Sequence, residues 1–255
     1  MPNTKYKSTS VKSKWTKTKW LLRNAYTSKF VPRTKLFTRS NLRTMLNRYS
    51  TVFFKPTGGS GGFRIYRIKT LADGGYQLRH NATKSYYGSF DSLYARLGNR
   101  AGGRSYLLQK GIRLAKTGGR PFDIRVMVQK SNEGDWVSTA MFAKIGRPGK
   151  IATNYNQGGK IGRLRSTLRG AGYGNGRIDK KEAELKRLGR SVGRLFDRRI
   201  SGFKELGLDV ALDGTGRSWI LEVNTRPQYY PLRRLGYRSL YKRISRYSKQ
   251  YGRKR

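Results

Sequence analysis

Residues 208–227, LDVALDGTGRSWILEVNTRP, constrain this chain more than any other stretch. Leu208, Val210 and Leu212 alternate with Asp209, Ala211 and Asp213; turn residues Asp-Gly-Thr-Gly follow, and Trp219, Leu221 and Val223 alternate with Ile220, Glu222 and Asn224. Alternation on both sides of a glycine turn predicts a β-hairpin. A turn centred between Thr215 and Gly216 sets Asp209 directly across from Glu222, and the two-residue period puts Asn224 on the same face. Two carboxylates and an amide oxygen make a hard-oxygen set suited to magnesium, which takes one or two protein carboxylates and leaves its other positions to phosphate and water.

Composition sharpens that reading. The chain has 13 acidic residues against 57 Lys+Arg, with no acid before Asp73 or after Glu222, so three acids in one hairpin stand out. The formal net charge of +44 predicts a surface that seeks polyanions: nucleic acid, an acidic polymer or an anionic layer. Zero cysteines exclude disulfides, thiolate zinc sites and cysteine nucleophiles; the single His80 argues against a histidine triad and receives no role. No apolar run of membrane-spanning length occurs, and the basic N-terminus lacks the apolar core of a secretory signal, so a cytoplasmic protein is expected.

In chain order, residues 1–30 read as a mobile basic arm that becomes ordered near Trp20, Leu21 and Leu22. Ser40 is placed as the N-cap of a helix carrying Leu42, Met45 and Leu46. Strands are expected over 51–54, 63–69 and 105–109, a hairpin turn at Gly74-Gly75, and a short helix over 92–97. Two longer strands over 122–129 and 136–144 precede the clearest helix, 180–200, whose Leu185, Leu188, Val192, Leu195 and Phe196 recur at helical spacing. The last 25 residues contain no acid, and Leu235, Leu240 and Ile244 can organise a basic helix there.

Between the first two strands lies Thr57-Gly58-Gly59-Ser60-Gly61-Gly62, preceded by Lys55. Glycines let a backbone approach an anion and present N–H groups to it. A P-loop places its lysine after the glycines and then starts a helix, which this segment does not do. A glycine loop between two strands, with a lysine on the first, instead suits a flexible lid over triphosphate.

The order of parts carries a resemblance: Lys55 and the glycine lid, YLLQKGI at 106–112, FDIRVMVQK at 122–130, TNYNQGGKI at 153–161, and the closing hairpin with LEVNTRP. Together with PRTKLFTRSNLRTMLNRYSTVFFKP before the lid, this series resembles the ATP-grasp family, and within it the spore-coat-associated YheC/YheD branch, over about residues 31–232. The resemblance implies an α+β fold in which two α+β subdomains clamp a nucleotide, about 31–105 and 106–232, with a basic tail over 233–255 and a possible spore-coat location.

It also implies roles for positions that match the family pattern. Lys55 would hold nucleotide phosphates while Gly58, Gly59, Ser60, Gly61 and Gly62 close over them. Gln109, Lys110, Gly111 and Ile112 would form the hinge beside adenine, bonding it through backbone, and Asp123 would lie near the ribose. Arg125 would face phosphate and a developing acyl phosphate. Lys144 stands where relatives usually carry arginine, keeping charge but losing bidentate geometry. Asn154, Gly158 and Gly159 would line the substrate side, and Asp209, Glu222 and Asn224 would bind one or two magnesium ions.

The expected activity is an ATP- and Mg-dependent ligase that joins an acidic carboxylate substrate to an amine acceptor. Only about 30 residues precede the matching region, where many relatives carry a folded substrate-binding domain, so a reduced acceptor half or one supplied by a partner is expected. The competing expectation is a non-catalytic protein of the same fold that coats DNA or another polyanion, aided by Tyr and Trp among its terminal Lys/Arg residues. A kinase shares the lid logic but would need an HRD-like catalytic loop, which the sequence lacks.

Overall fold

The computed structural model of the protein describes residues 6–59, 64–147 and 158–253. After an extended N-terminal segment, helix α1 (Lys14–Leu22) and a 3-10 turn (Thr27–Phe30) lead into the first lobe. That lobe contains β1 (Thr34–Leu36), α2 (Arg39–Arg48), β2 (Thr51–Pro56), β3 (Tyr66–Thr70), β4 (Tyr76–His80), β5 (Thr83–Tyr87), α3 (Phe90–Ala101) and β6 (Tyr106–Lys110). Its strands form one antiparallel sheet in the order β1-β6-β2-β3-β4-β5. Helices α2 and α3 cover it, burying Leu42, Met45, Leu46, Leu93 and Leu97 against Val52, Phe54, Ile68 and Leu108.

The second lobe contains β7 (Lys116–Thr117), β8 (Arg120–Lys130), β9 (Trp136–Ile145), β10 (Lys160–Arg163), α4 (Leu164–Arg169), α5 (Asn175–Asp197), β11 (Glu205–Leu212) and β12 (Ser218–Asn224). Its sheet runs β10-β9-β8-β11-β12, with β7 paired to β8, and every pairing is antiparallel. Alternate residues Phe122, Ile124, Val126 and Val128 of β8, and Leu206, Leu208, Val210 and Leu212 of β11, point to one face. There they meet Leu185, Leu188, Val192, Leu195 and Phe196 of α5, so the helical stripe legible in the sequence is core. Gly189 and Gly193 permit the close approach: a Cβ on Gly193 would lie 2.4 Å from the Trp136 ring.

The opposite face of this sheet is shared between the site and the chain's end. Helices α6 (Pro231–Arg234) and α7 (Arg238–Gln250) cover Met127, Ala140 and Phe142 with Leu232 and Ile244. Ile244 is buried as expected, whereas Leu235 falls between the two helices and is exposed. Among the described residues, no helix is long and apolar enough to cross a membrane.

Three local expectations change. The N-cap of α2 is Thr38, whose Oγ1 accepts from Asn41 N–H at 3.1 Å, because Thr38 rather than Ser40 is the last extended residue before the helix. The helix at 92–97 begins earlier, at Phe90, capped by Ser89. The N-terminal segment is packed well before Trp20: Lys7 N–H donates to Tyr251 O, Thr9 N–H to Gly202 O and Val11 N–H to Thr225 Oγ1.

Both chain ends close on one buried carboxylate. Glu205 is fully buried and accepts from Tyr6 Oη and Tyr251 Oη, each at 2.8 Å, and from Arg253. Burial raises the Glu205 pKa, opposed mainly by Arg253. The same burial and the neighbouring Glu205 carboxylate push the Tyr6 hydroxyl up to about 12.

Candidate active site

The face of the second sheet turned away from α5 carries a row of alternating charge. Lys144 on β9 sits opposite Asp123 on β8, and Arg125 on β8 opposite Asp209 on β11. Lys144 Nζ lies 3.0 Å from Asp123 and 2.9 Å from Asp209 Oδ1, and Arg125 Nε donates to that same Oδ1 at 2.7 Å. Gly207 makes room for the guanidinium, since a Cβ there would lie 3.3 Å from Arg125 Nη1 and 2.6 Å from Pro227.

Burial alone would raise the Asp209 carboxyl, but Arg125 and then Lys144 overcome it and hold the group well below the usual carboxylate range. Burial alone would likewise lower Lys144, and Asp123 and Asp209 reverse it, raising the ammonium. Arg125, Lys144 and Asp209 are therefore charged and, with Asp123 against Lys144, form one buried network.

Asp209 and Glu222 pair across β11 and β12, as the alternation predicts, but the route between them differs. From Leu212↔Ser218 to Val210↔Ile220 the pairing centres on Thr215, and a bulge then shifts it by one residue to give Asp209↔Glu222. The extra residue is Leu221. The shift also sends both Ile220 and Val223 into the core, where simple alternation had put them on opposite faces. The Leu221 carbonyl accepts from Lys55 Nζ of the first lobe at 3.2 Å.

Lys55 is 7% exposed, and Nζ also donates to Gln109 Oε1 at 2.8 Å, while Gln109 Nε2 donates to Thr34 Oγ1. Burial lowers the Lys55 ammonium to about 8, with Glu222 opposing the shift and Lys14 adding to it. Gln109 thus supports the lysine rather than facing open space. In the same stretch Lys110 N–H is taken by Arg33 O and Gly111 N–H by Thr51 O, because β6 lies between β1 and β2. That uses two of the backbone donors expected to face adenine. Only glycine fits at 111, where a Cβ would lie 2.5 Å from Thr51 Cγ2. Lys110 Nζ lies 5.3 Å from the Trp219 ring centre, so this stretch touches the hairpin, and Ile112 beside it is half-buried.

Gly58 and Gly59 border an open cavity of ≈520 Å³ with Thr57, Arg64 and Arg104, and Gly59 has φ +86°. Ser60, Gly61, Gly62 and Asn154 lie outside the described residues. Gly158 and Gly159 lead into β10, and a Cβ on Gly158 would lie 3.2 Å from Arg147 Cδ.

The third member of the hairpin trio, Asn224, lies beside Asp209, with Nδ2 3.4 Å from Asp209 Oδ2. Asp209 therefore presents Oδ1 to its two cations and Oδ2 to Asn224. Two carboxylates in register plus an amide fit a magnesium ion by donor chemistry. Among the described residues, no group of three acids or histidines gathers as a richer alternative.

Sequence reasoning missed the N-terminal contribution. Lys14 Nζ lies 3.1 Å from Glu222 Oε1 and 2.5 Å from Gly59 O, and Lys14 N–H donates to Thr57 O at 2.7 Å. Lys17, one turn on in α1, is also buried. Lysines in a basic segment read as solvated, and only the absence of a matching apolar stripe in α1 hints otherwise.

A profile of the family described as YheC/D like ATP-grasp matches residues 3–254. The endospore coat-associated protein YheD of Bacillus subtilis (strain 168) is 29% identical over 224 residues, 84% of this chain and 48% of that protein. Its counterpart YheC from the same organism is 23% identical over 241 residues, 89% of this chain and 62% of that protein. The chain thus spans about half to two thirds of the length of these relatives. Among solved structures, D-alanyl-alanine synthetase A from Vibrio cholerae matches with TM-score 0.56 and 13% identity over 94% of this chain and 63% of that one. N5-carboxyaminoimidazole synthase from Aspergillus clavatus, in complex with ADP and a ribonucleotide, matches with TM-score 0.52 and 11% identity over 86% and 45%.

Proposed function

Since the chain belongs to the YheC/D-like ATP-grasp family, we propose that it is an ATP- and Mg-dependent ligase that joins a carboxylate to an amine through an acyl phosphate. One observation carries this reading: Lys55 of the first lobe reaches the carbonyl of Leu221, beside the carboxylate pair Asp209 and Glu222 of the second. A phosphate-binding lysine, a glycine loop and a hard-oxygen set then face one cleft. A purely structural protein has no need to hold scarce carboxylates there.

In this reading Lys55, fixed by Gln109, binds the nucleotide phosphates, and Gly58 and Gly59 belong to the lid above them. Gln109, Lys110, Gly111 and Ile112 border the adenine side. Arg125 spends Nε on Asp209, so its terminal nitrogens remain to hold the transferring phosphoryl group. Lys144 adds positive charge behind it. Asp123, 3% exposed and paired to Lys144, positions that lysine rather than touching the ribose. Asp209 Oδ2, Glu222 and Asn224 would hold magnesium, which when bound neutralises phosphate charge as the γ-phosphoryl leaves. The substrate carboxylate attacks that phosphoryl group, ADP departs, and an amine displaces phosphate from the acyl phosphate. No protein nucleophile is required; placement and charge do the work.

The substrate is assigned to the acidic class. Exposed Arg238, Lys242 and Arg246 of α7, on the sheet face that also carries the site, present a basic face that attracts anionic molecules. Two relatives named endospore coat-associated proteins support a setting at the endospore coat. The test is a screen of acidic amino acids, acidic peptides and amine acceptors for Mg-dependent ADP release, with mass detection of a condensed product. Substrate-dependent ADP with a product lighter by one water supports the reading. Tight, steeply salt-dependent binding of polyanions with no nucleotide turnover on any substrate would replace it with a coating protein.

A further inference from the structure

We propose that Lys14 and Lys17, delivered by α1, complete with Lys55 a three-ammonium receptor for the polyphosphate of the nucleotide. The inference rests on the reading of the cleft as a nucleotide site and extends it to the N-terminal segment. That segment spans both lobes. Val11 N–H donates to Thr225 Oγ1 in the second lobe at 2.9 Å, and three residues later Lys14 N–H donates to Thr57 O in the first at 2.7 Å. Between them Ser13 caps α1 by accepting from Thr16 N–H at 3.1 Å. The helix is thereby fixed at both margins of the cleft.

Its two lysines point inward. Lys14 is 8% exposed and bridges Glu222 to the lid carbonyl of Gly59, so it joins the hairpin to the glycine loop. Lys17 is 5% exposed, and its ammonium makes no hydrogen bond or ion pair among the described residues, although Glu222 and Lys14 are its charged neighbours. A buried ammonium without a partner is costly unless a ligand supplies the counter-charge. Lys55 feels Glu222, Lys14, Asp209 and Lys17, and Lys14 contacts Glu222 directly, which places the three lysines and Glu222 in one cluster. All three ammonium groups neighbour Glu222, the carboxylate assigned to magnesium, while Asp209, which Lys55 also feels, is already paired with Arg125 and Lys144. The cluster thus holds surplus positive charge beside Gly59. A phosphate chain, with several anionic oxygens in a row, matches that demand better than a single carboxylate does.

The test uses the full chain and isothermal titration with Mg-ATP and, separately, inorganic tripolyphosphate at physiological ionic strength. The variant Lys14→Met/Lys17→Met keeps the aliphatic stems and removes both charges. Lys84→Met/Lys180→Met, exposed on β5 and α5, removes the same charge elsewhere. The expected result is one tripolyphosphate site that ATP competes for, a loss on the order of 100-fold in affinity for both ligands in the α1 variant, and a change under about 2-fold in the control. Lys14→Arg/Lys17→Arg should recover at least part of the loss, and thermal melts separate misfolding from lost charge.

Wild-type binding that the α1 variant retains overturns the proposal and leaves the nucleotide reading standing. Tighter binding in that variant also overturns it, making α1 a plug. Tripolyphosphate binding that depends on Lys14 and Lys17, without ATP binding, keeps the receptor and sinks the nucleotide reading. Binding of neither ligand sinks both.

Discussion

Lys55 Nζ, on a strand of the first lobe, sits 3.2 Å from the carbonyl oxygen of Leu221, the residue that a β-bulge leaves over in the second. β12 is the edge strand of its sheet, so this carbonyl is open to a lysine from across the cleft. With Gln109 Oε1 as the other acceptor, the ammonium keeps at least one proton for an incoming anion. Lys55→Met should lower ATP affinity by about 10- to 100-fold, the loss of one or two charge-assisted hydrogen bonds. Titration calorimetry checks this, and unchanged affinity would detach Lys55 from the nucleotide.

Glu222 and Asn224 lie side by side on β12, Glu222 paired to Lys14 and Asn224 beside Asp209. Glu222 stands outside the buried network of Arg125, Lys144, Asp123 and Asp209 and keeps 23% side-chain exposure, and Asn224 touches that network only through its 3.4 Å contact with Asp209 Oδ2. Glu222→Ala/Asn224→Ala removes the counter-charge of Lys14 and should lower the thermal midpoint while the chain still folds, and Mg-dependent ADP formation should fall by at least about 1,000-fold. Full turnover in a folded double variant would remove magnesium from this trio.

Asp209 behaves differently because it is structural as well as functional. Asp209→Asn leaves Arg125 and Lys144 buried with a single remaining carboxylate, Asp123, and should cost about 3–5 kcal/mol in denaturant unfolding. The pH dependence has a defined sign. The unfolded carboxyl titrates near 3.8 and the folded one lower, so below 3.8 the unfolded chain binds a proton that the folded chain refuses. Stability from Asp209 is fully present above that value and drains as the pH falls further. The variant should lose that part of the acid slope; an unchanged slope would contradict the pairing.

The hairpin, the α5 stripe and the order of motifs were legible because each depends on local alternation or spacing. Leu185, Leu188 and Val192 are apolar and buried, as periodicity demands. The bulge at Leu221 was not legible: no glycine or proline marks it, and the Asp209–Glu222 register arises with or without it. Neither was the clasp at Glu205, whose partners Tyr6, Tyr251 and Arg253 lie at the two far ends of the chain. Long-range polar closure leaves no periodic trace. Lys14 and Lys17 were hidden for a sharper reason. Pattern reading assigns lysine to solvent, and a site that binds anions inverts that rule.

That inversion gives Lys17 a measurable signature. Burial first, then the like charge of Lys14, lower its ammonium from 10.5 to about 8, with Glu222 opposing. Between those values the unfolded chain holds a proton that the folded chain has released, so stability rises as the pH climbs from about 8 towards 10.5. Below about 8 both states hold the proton and the full burial cost applies. Lys17→Met keeps the stem and deletes the charge, so at pH ~7 it should stabilise the ligand-free protein by up to about 3 kcal/mol. The gain should fade near pH 10.5, where wild-type Lys17 is neutral when folded. Denaturant unfolding of both proteins at the two pH values checks this. A variant no more stable than wild type at neutral pH would mean that Lys17 is not strained, and that its burial reflects packing rather than a place kept for an anion. A stabilised variant that also loses polyphosphate binding would identify the residue as one whose function is held at the expense of the fold.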